Sequence, residues 1–170
     1  MLREIGIFDE YFDTGYEDAE LGVRATVLGY KCIFEPTAIV YHKISQSINK
    51  IRNYEYLLKI QLNIFYTYFK LMPSLVLLIN IPSFLFKYGS VILIDVIFYR
   101  PAFLKIILDA FYRTIFKERK KIMVSRRAFF KNHRPISAFR ILHKQTFFLW
   151  FDIQRFFKYV VFRKPTEFER

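Results

Sequence analysis

The chain has 170 residues and a mass of 20.7 kDa, with 27 Lys+Arg against 15 Asp+Glu for a formal net charge of +12, yet 54% of its residues are apolar and 20% aromatic. That mixture excludes a disordered basic tail, which lacks aromatic and β-branched residues, and the single cysteine, Cys32, excludes a disulfide scaffold. High apolar content carried with high positive charge points to an anionic surface, either lipid headgroups or nucleic acid.

The charge is unevenly placed. Residues 1–50 hold 5 basic and 8 acidic side chains, whereas residues 51–170 hold 22 basic and 7 acidic ones. The aromatics follow the basic part, with 18 of 21 Phe beyond residue 50. The expectation is an acidic head, 1–48, and a basic aromatic body, 49–170. No apolar h-region follows Met1–Glu4, so the start does not read as a signal peptide.

The head is taken first. Ile5 to Tyr16 reads as a loop, with Gly6, Asp9-Glu10, Asp13 and Gly15. A helix is expected from Glu17, because Leu21, Ala25 and Leu28 share a face, with Gly29 at the C′ position that ends it. Lys31–Phe34 and Ala38–Tyr41 read as two short strands broken by Glu35-Pro36, the second delivering His42 at its end.

Three features of this head bear on chemistry. Glu17-Asp18 opens a helix, where the dipole favours an ionised carboxylate, the form a general base needs. Acidic first turns also serve simply to complement that dipole, and the pattern alone does not separate the two. His42 leaving a strand suits a metal ligand, or equally a hydrogen-bonded, partly buried imidazole. Asp9-Glu10 in a glycine-containing loop is by default a solvated acidic turn.

Taken in order, these segments resemble a known family. Gly6-Ile7-Phe8-Asp9-Glu10-Tyr11-Phe12, Glu17-Asp18-Ala19-Glu20-Leu21, Arg24-Ala25, Gly29-Tyr30, Pro36-Thr37-Ala38, Val40-Tyr41-His42 and Ser47 are similar to the family-2 inverting glycosyltransferases of the bacterial rhamnosyl/galactofuranosyl type. Arg52-Asn53 with Leu57-Leu58-Lys59 extends the likeness more weakly to about residue 70. The resemblance implies an α/β GT-A fold for the head, followed by a mostly α-helical, membrane-associating region. It implies Asp18 as catalytic base, with Glu17, Asp9, Glu10 and Arg24 as supporting or acceptor-side residues and Glu17–Arg24 as an ion pair. It implies His42 as a ligand to Mg²⁺ or Mn²⁺. It also implies a nucleotide-sugar donor and a glycan or lipid-linked acceptor. Gly22 departs from the family's bulkier residue. No Asp-x-Asp occurs in the sequence, and nothing before Ile5 supplies the family's uridine-binding strand. The expectation is therefore the C-terminal portion of such an enzyme, inactive by itself.

In the body, a helix is expected over 49–70 from Ile51, Tyr54, Leu58, Leu62, Phe65 and Phe69, with Arg52, Lys59 and Lys70 on its other sides. Leu71–Phe86 carries no charge, but Pro73, Asn80 and Pro82 interrupt it. With Lys87 and Asp95 inside 71–99, a re-entrant or interfacial hairpin is expected in preference to a span. An amphipathic helix is expected over 102–121, with Lys105, Asp109 and Arg113 as a ladder, and another over 138–162. Basic residues interleaved with Phe, Tyr and Trp suit an anionic bilayer interface. Together with the resemblance, this implies a body on the cytoplasmic face of a bacterial inner membrane, with no nucleic acid bound. The alternative is a non-enzymatic basic module that binds membrane or nucleic acid.

Overall fold

The computed structural model describes residues 1–39, 41, 53–97, 99 and 101–145. In chain order the elements are α1 (Leu2–Ile5), α2 (Glu17–Val27), α3 (Tyr54–Leu71), α4 (Ser74–Ile79), α5 (Ile81–Ile97), α6 (Pro101–Tyr112), a π-helical turn (Arg113–Lys117), α7 (Arg119–Asn132) and α8 (Ala138–Lys144).

This corrects the expected α/β GT-A fold. Of the described residues 72% are helical, and among them there is no strand. Residues 31–35 are irregular and exposed, followed by a turn at Pro36-Thr37. The apolar side chains that suggested two strands, Ile33, Phe34 and Ile39, lie open to solvent. A strand needs a partner for its backbone groups, and no described residue offers these segments one. Val40 and His42 lie outside the described residues.

The chain divides into two compact units. One comprises Met1–Met72 with Ile106–Ile136; the other comprises Pro73–Lys105 with the described residues from Ser137 on.

In the first unit, α2 ends where its glycine predicts. Gly29 takes φ +95°, its N–H donates to Thr26 O (3.1 Å), and the Tyr30 N–H reaches back to Ala25 O (3.0 Å). These are the two bonds of a Schellman motif, which a residue without Cβ makes at least cost. A Cβ on Gly29 would also meet Ile136 Cγ2 at 2.9 Å, and the Ile136 N–H donates to Val27 O (2.9 Å). The segment after α7 is thereby tied to the end of α2.

Helix α3 begins at Asn53, whose side chain accepts from the Tyr56 N–H (3.0 Å), an N-cap of about 1 kcal/mol. Its apolar face, Leu58, Leu62 and Phe65, is buried as the periodicity requires, with Phe65 against Phe111 at 5.0 Å between ring centroids. A second face, Asn63, Tyr66 and Lys70, is buried as well. Lys70, expected off the apolar face of α3, is thus an interior residue on a second buried face. The expected helix over 102–121 is broken. After Tyr112 the chain widens into the π turn Arg113–Lys117, and α7 starts afresh at Arg119. Asp109 accepts a hydrogen bond from the Tyr54 hydroxyl, which anchors α6 to the first turn of α3.

In the second unit, α4 and α5 adjoin through Asn80, which has helical dihedrals. The Asn80 amide donates to Gln145 Oε1 (2.9 Å), joining α4 to the end of α8. Leu78, Leu85 and Leu93 are more than half exposed. No described helix is long and apolar enough to cross a membrane.

Candidate functional site

The acidic head is held by a chain of charges. Asp9 sits in the loop before α2, Glu20 and Arg24 one turn apart on α2, and Lys70 in the last turn of α3. The Lys70 ammonium donates to Asp9 Oδ2 (2.5 Å) and to Glu20 Oε1 (2.8 Å). The other Glu20 oxygen accepts from Arg24 (2.8 Å). Arg24 in turn donates to the carbonyls of Ile5 (2.7 Å) and Ile7 (2.5 Å). Two anions and two cations balance. This matters because Glu20 is 0% exposed and Lys70 and Arg24 only 7%, and an unpaired charge at that depth costs several kcal/mol. The sequence dictates the geometry: Glu20 and Arg24 are i, i+4 on a helix and share a face.

Beside this chain, Tyr11 lies flat on Tyr66, ring centroids 3.6 Å apart and planes within 4°, with Phe12 edge-on to both. Face-to-face rings repel through their quadrupoles. Nearby cations offset this: Lys121 stands 4.4 Å from the Tyr11 centroid and Lys70 5.5 Å from that of Tyr66. The Tyr66 hydroxyl donates to Asp9 Oδ2 (3.1 Å) and the Tyr11 N–H to Asp9 Oδ1 (2.9 Å). Burial pushes the Asp9 carboxyl up. Its hydrogen bonds from Lys70 and Tyr11, the Lys70 charge and the Tyr66 hydroxyl outweigh that and leave it below its ordinary value. Burial, with the neighbouring carboxylates, raises both tyrosines well above the ordinary phenol value.

One more residue of α3 fixes the entry to α2. The Asn63 amide donates to the carbonyls of Thr14 (3.0 Å) and Gly15 (2.7 Å). Tyr16 follows in the left-handed region, φ +77°, and α2 then begins with Glu17 and Asp18.

The expected site residues therefore separate. Asp9 and Arg24 are brought together, through Lys70 and Glu20, as structural members of one network. The expected Glu17–Arg24 ion pair is corrected: Arg24 pairs with Glu20, one turn away, whereas Glu17 stands two turns off. Glu17 is half-buried, and its Oε2 is shielded from solvent without a hydrogen-bond partner. Glu10 is exposed. Asp18 is exposed too, its Oδ1 accepting only from the adjacent Ala19 N–H (2.7 Å). Asp18 and Glu20, i, i+2, point to different environments, as their spacing requires. His42 lies outside the described residues. Among the described residues no three of His, Cys, Asp and Glu converge as a metal would need, and Asp9 and Glu20 already hold an ammonium between them.

The sequence reading missed Lys70, Asn63 and Tyr66. Their spacing, i, i+3, i+7, was a signal for a second buried face on α3. No known protein family, curated protein or solved structure matches this chain.

Proposed function

We propose that the head is the acceptor-activating end of an inverting glycosyltransferase, with Asp18 as the general base. The observation that carries this is the division among its carboxylates. Asp9 and Glu20 are consumed by Lys70 and Arg24, while Asp18 keeps an exposed carboxylate on the first turn of a helix clamped by that same network. An ionised carboxylate at a helix N-terminus, rigidly based and open to a ligand, suits proton abstraction. The short-motif likeness supplies the reaction class. In that reaction an acceptor hydroxyl loses its proton to Asp18 as its oxygen bonds to the anomeric carbon. The bond from that carbon to the diphosphate breaks on the opposite face, and the nucleoside diphosphate leaves with the electron pair. The nucleotide-sugar is held by groups other than those of the head.

The test is transfer of labelled sugar from nucleotide-sugar donors into lipid-linked or polysaccharide acceptors, by membranes of cells expressing the gene in its own context. Asp18→Asn keeps the shape and removes the base, so transfer falls by about 10²–10⁴-fold with donor binding intact. Asp13→Asn, in a surface pair with Lys59 (3.0 Å), leaves transfer unchanged. Full transfer by the Asp18→Asn protein would refute the assignment.

A further inference from the structure

The outer face of α7 is the most strongly patterned surface of the first unit. Residues 119–132 contain Arg119, Lys120, Lys121, Arg126, Arg127 and Lys131 and no acidic side chain. The helix is amphipathic in an unusual sense. Its inner face is anchored by Ile122 and Phe129, and Arg126 also turns inward, donating to the carbonyls of Phe69 (2.7 Å) and Met72 (2.5 Å). Phe129, which lies among these basic residues in the sequence, is a core residue. The opposite face carries Lys120, Met123, Val124, Arg127 and Lys131, at i, i+3, i+4, i+7 and i+11. All are exposed, Val124 to 66%. Just upstream the π turn presents Phe116, 71% exposed, beside Lys117. A shallow concavity runs along the face, lined by Arg119, Lys120, Met123, Val124 and Arg127.

We infer that this face docks on an anionic lipid bilayer, Phe116, Met123 and Val124 entering the headgroup boundary while the flanking lysines and arginines meet lipid phosphates. Charge complementarity selects the partner: a row of cations with no interspersed carboxylate is repelled by a second copy of itself and attracted by a negative surface. The chemistry of the apolar members selects lipid over nucleic acid. Two of the three apolar members, Met123 and Val124, are aliphatic and offer bases no stacking plane, and Phe116 stands as the one aromatic of the three, whereas single-strand binders alternate cations with several aromatic platforms. Long basic side chains around a small apolar centre are the pattern of an interfacial helix, whose stems bury in the boundary while their heads stay wet. This inference does not rest on the transfer reading.

Flotation of the purified full chain with phosphatidylcholine vesicles, with and without phosphatidylglycerol, is the test. The chain floats with the anionic vesicles and is released by salt. Lys120→Gln and Arg127→Gln each weaken partitioning about fivefold, the effect of one basic residue at such a surface, with the helical circular dichroism unchanged. A second measurement localises the contact. In a Cys32→Ser background, an environment-sensitive dye on Val124→Cys shifts to the blue with anionic vesicles only. Partitioning unaffected by the two glutamine substitutions, no shift at position 124, or preferential binding of an oligonucleotide would each overturn the proposal.

Discussion

Lys70 Nζ lies 2.8 Å from Glu20 Oε1, and both side chains are closed off from solvent. Fifty positions separate the two residues in the chain, so this one contact fixes α2 against α3. Its weakness is that it is not replaceable by halves. Lys70→Met keeps the aliphatic stem and removes the charge, leaving Asp9 without a cation and Glu20 with Arg24 alone. The expected loss is about 3–5 kcal/mol, read as a lowered midpoint in urea unfolding. Adding Asp9→Asn recovers a large part of it, because the uncompensated anion is then gone and Glu20 remains balanced by Arg24. A double variant no more stable than Lys70→Met would show that packing, not charge, holds this joint.

The same network makes stability depend on acid. The folded Asp9 carboxyl titrates below its ordinary value, so the native state holds fewer protons there than the unfolded chain over that interval. Its contribution is complete above the ordinary carboxylate range. It is lost as the pH falls below that range and through the lowered folded value. The urea midpoint of the natural chain therefore drops more steeply between neutral pH and about pH 3 than that of Asp9→Asn, which starts lower and has no such proton to take up. Parallel curves for the two proteins would remove Asp9 from the acid response.

The loop before α2 predicts a backbone effect. Gly15 takes φ +69°, and a Cβ there would run into the Ile60 side chain from α3. Gly15→Ala costs about 1–2 kcal/mol for the left-handed conformation, with steric conflict added. The conflict lies with the far end of Ile60, so Gly15→Ala with Ile60→Val is more stable than Gly15→Ala alone. Differential unfolding of the two separates strain from clash, and equal midpoints would mean that Ile60 already moves aside without cost.

What was legible in the sequence follows the range of the interactions. Gly29 announced the end of α2 because a Schellman cap is a local device, complete within six residues. The apolar face of α3 was legible because helical period is local as well. The strands read at 31–34 and 38–41 failed because strand formation is not local: β-branched and aromatic runs form a strand only with a partner beside them. Lys70 was misplaced for a related reason. A lysine next to an uncharged run reads as a boundary, and its interior position is set by Asp9 and Glu20, which only the folded chain brings to it. Asp18 and Glu20 could be told apart in kind, by their i, i+2 spacing. Which of them faced solvent depended on Arg24 and Lys70 both reaching Glu20.

Asn63 offers the sharpest test of the packing that presents Asp18. Its amide nitrogen serves two carbonyls at once, those of Thr14 and Gly15, and its Oδ1 has no hydrogen-bond partner. Both acceptors are carbonyl oxygens, so the site is specific for a donor. Asn63→Leu fills the space but orphans the two acceptors, a loss of about 1–3 kcal/mol. Asn63→Asp is nearly isosteric and should be worse at neutral pH, at about 3–5 kcal/mol, since it sets a buried carboxylate against two carbonyl oxygens. The sign of its pH dependence is fixed. The new carboxyl is disfavoured as an anion in the fold, so its folded value is raised, and protonation on lowering the pH restores one donor to the site. The Asn63→Asp chain therefore gains stability relative to Asn63→Leu as the pH falls toward the carboxylate range, a reversal visible in paired urea titrations at neutral and mildly acidic pH. A constant gap between the two variants would mean that the turn at Thr14-Gly15 is held by something other than the amide of Asn63.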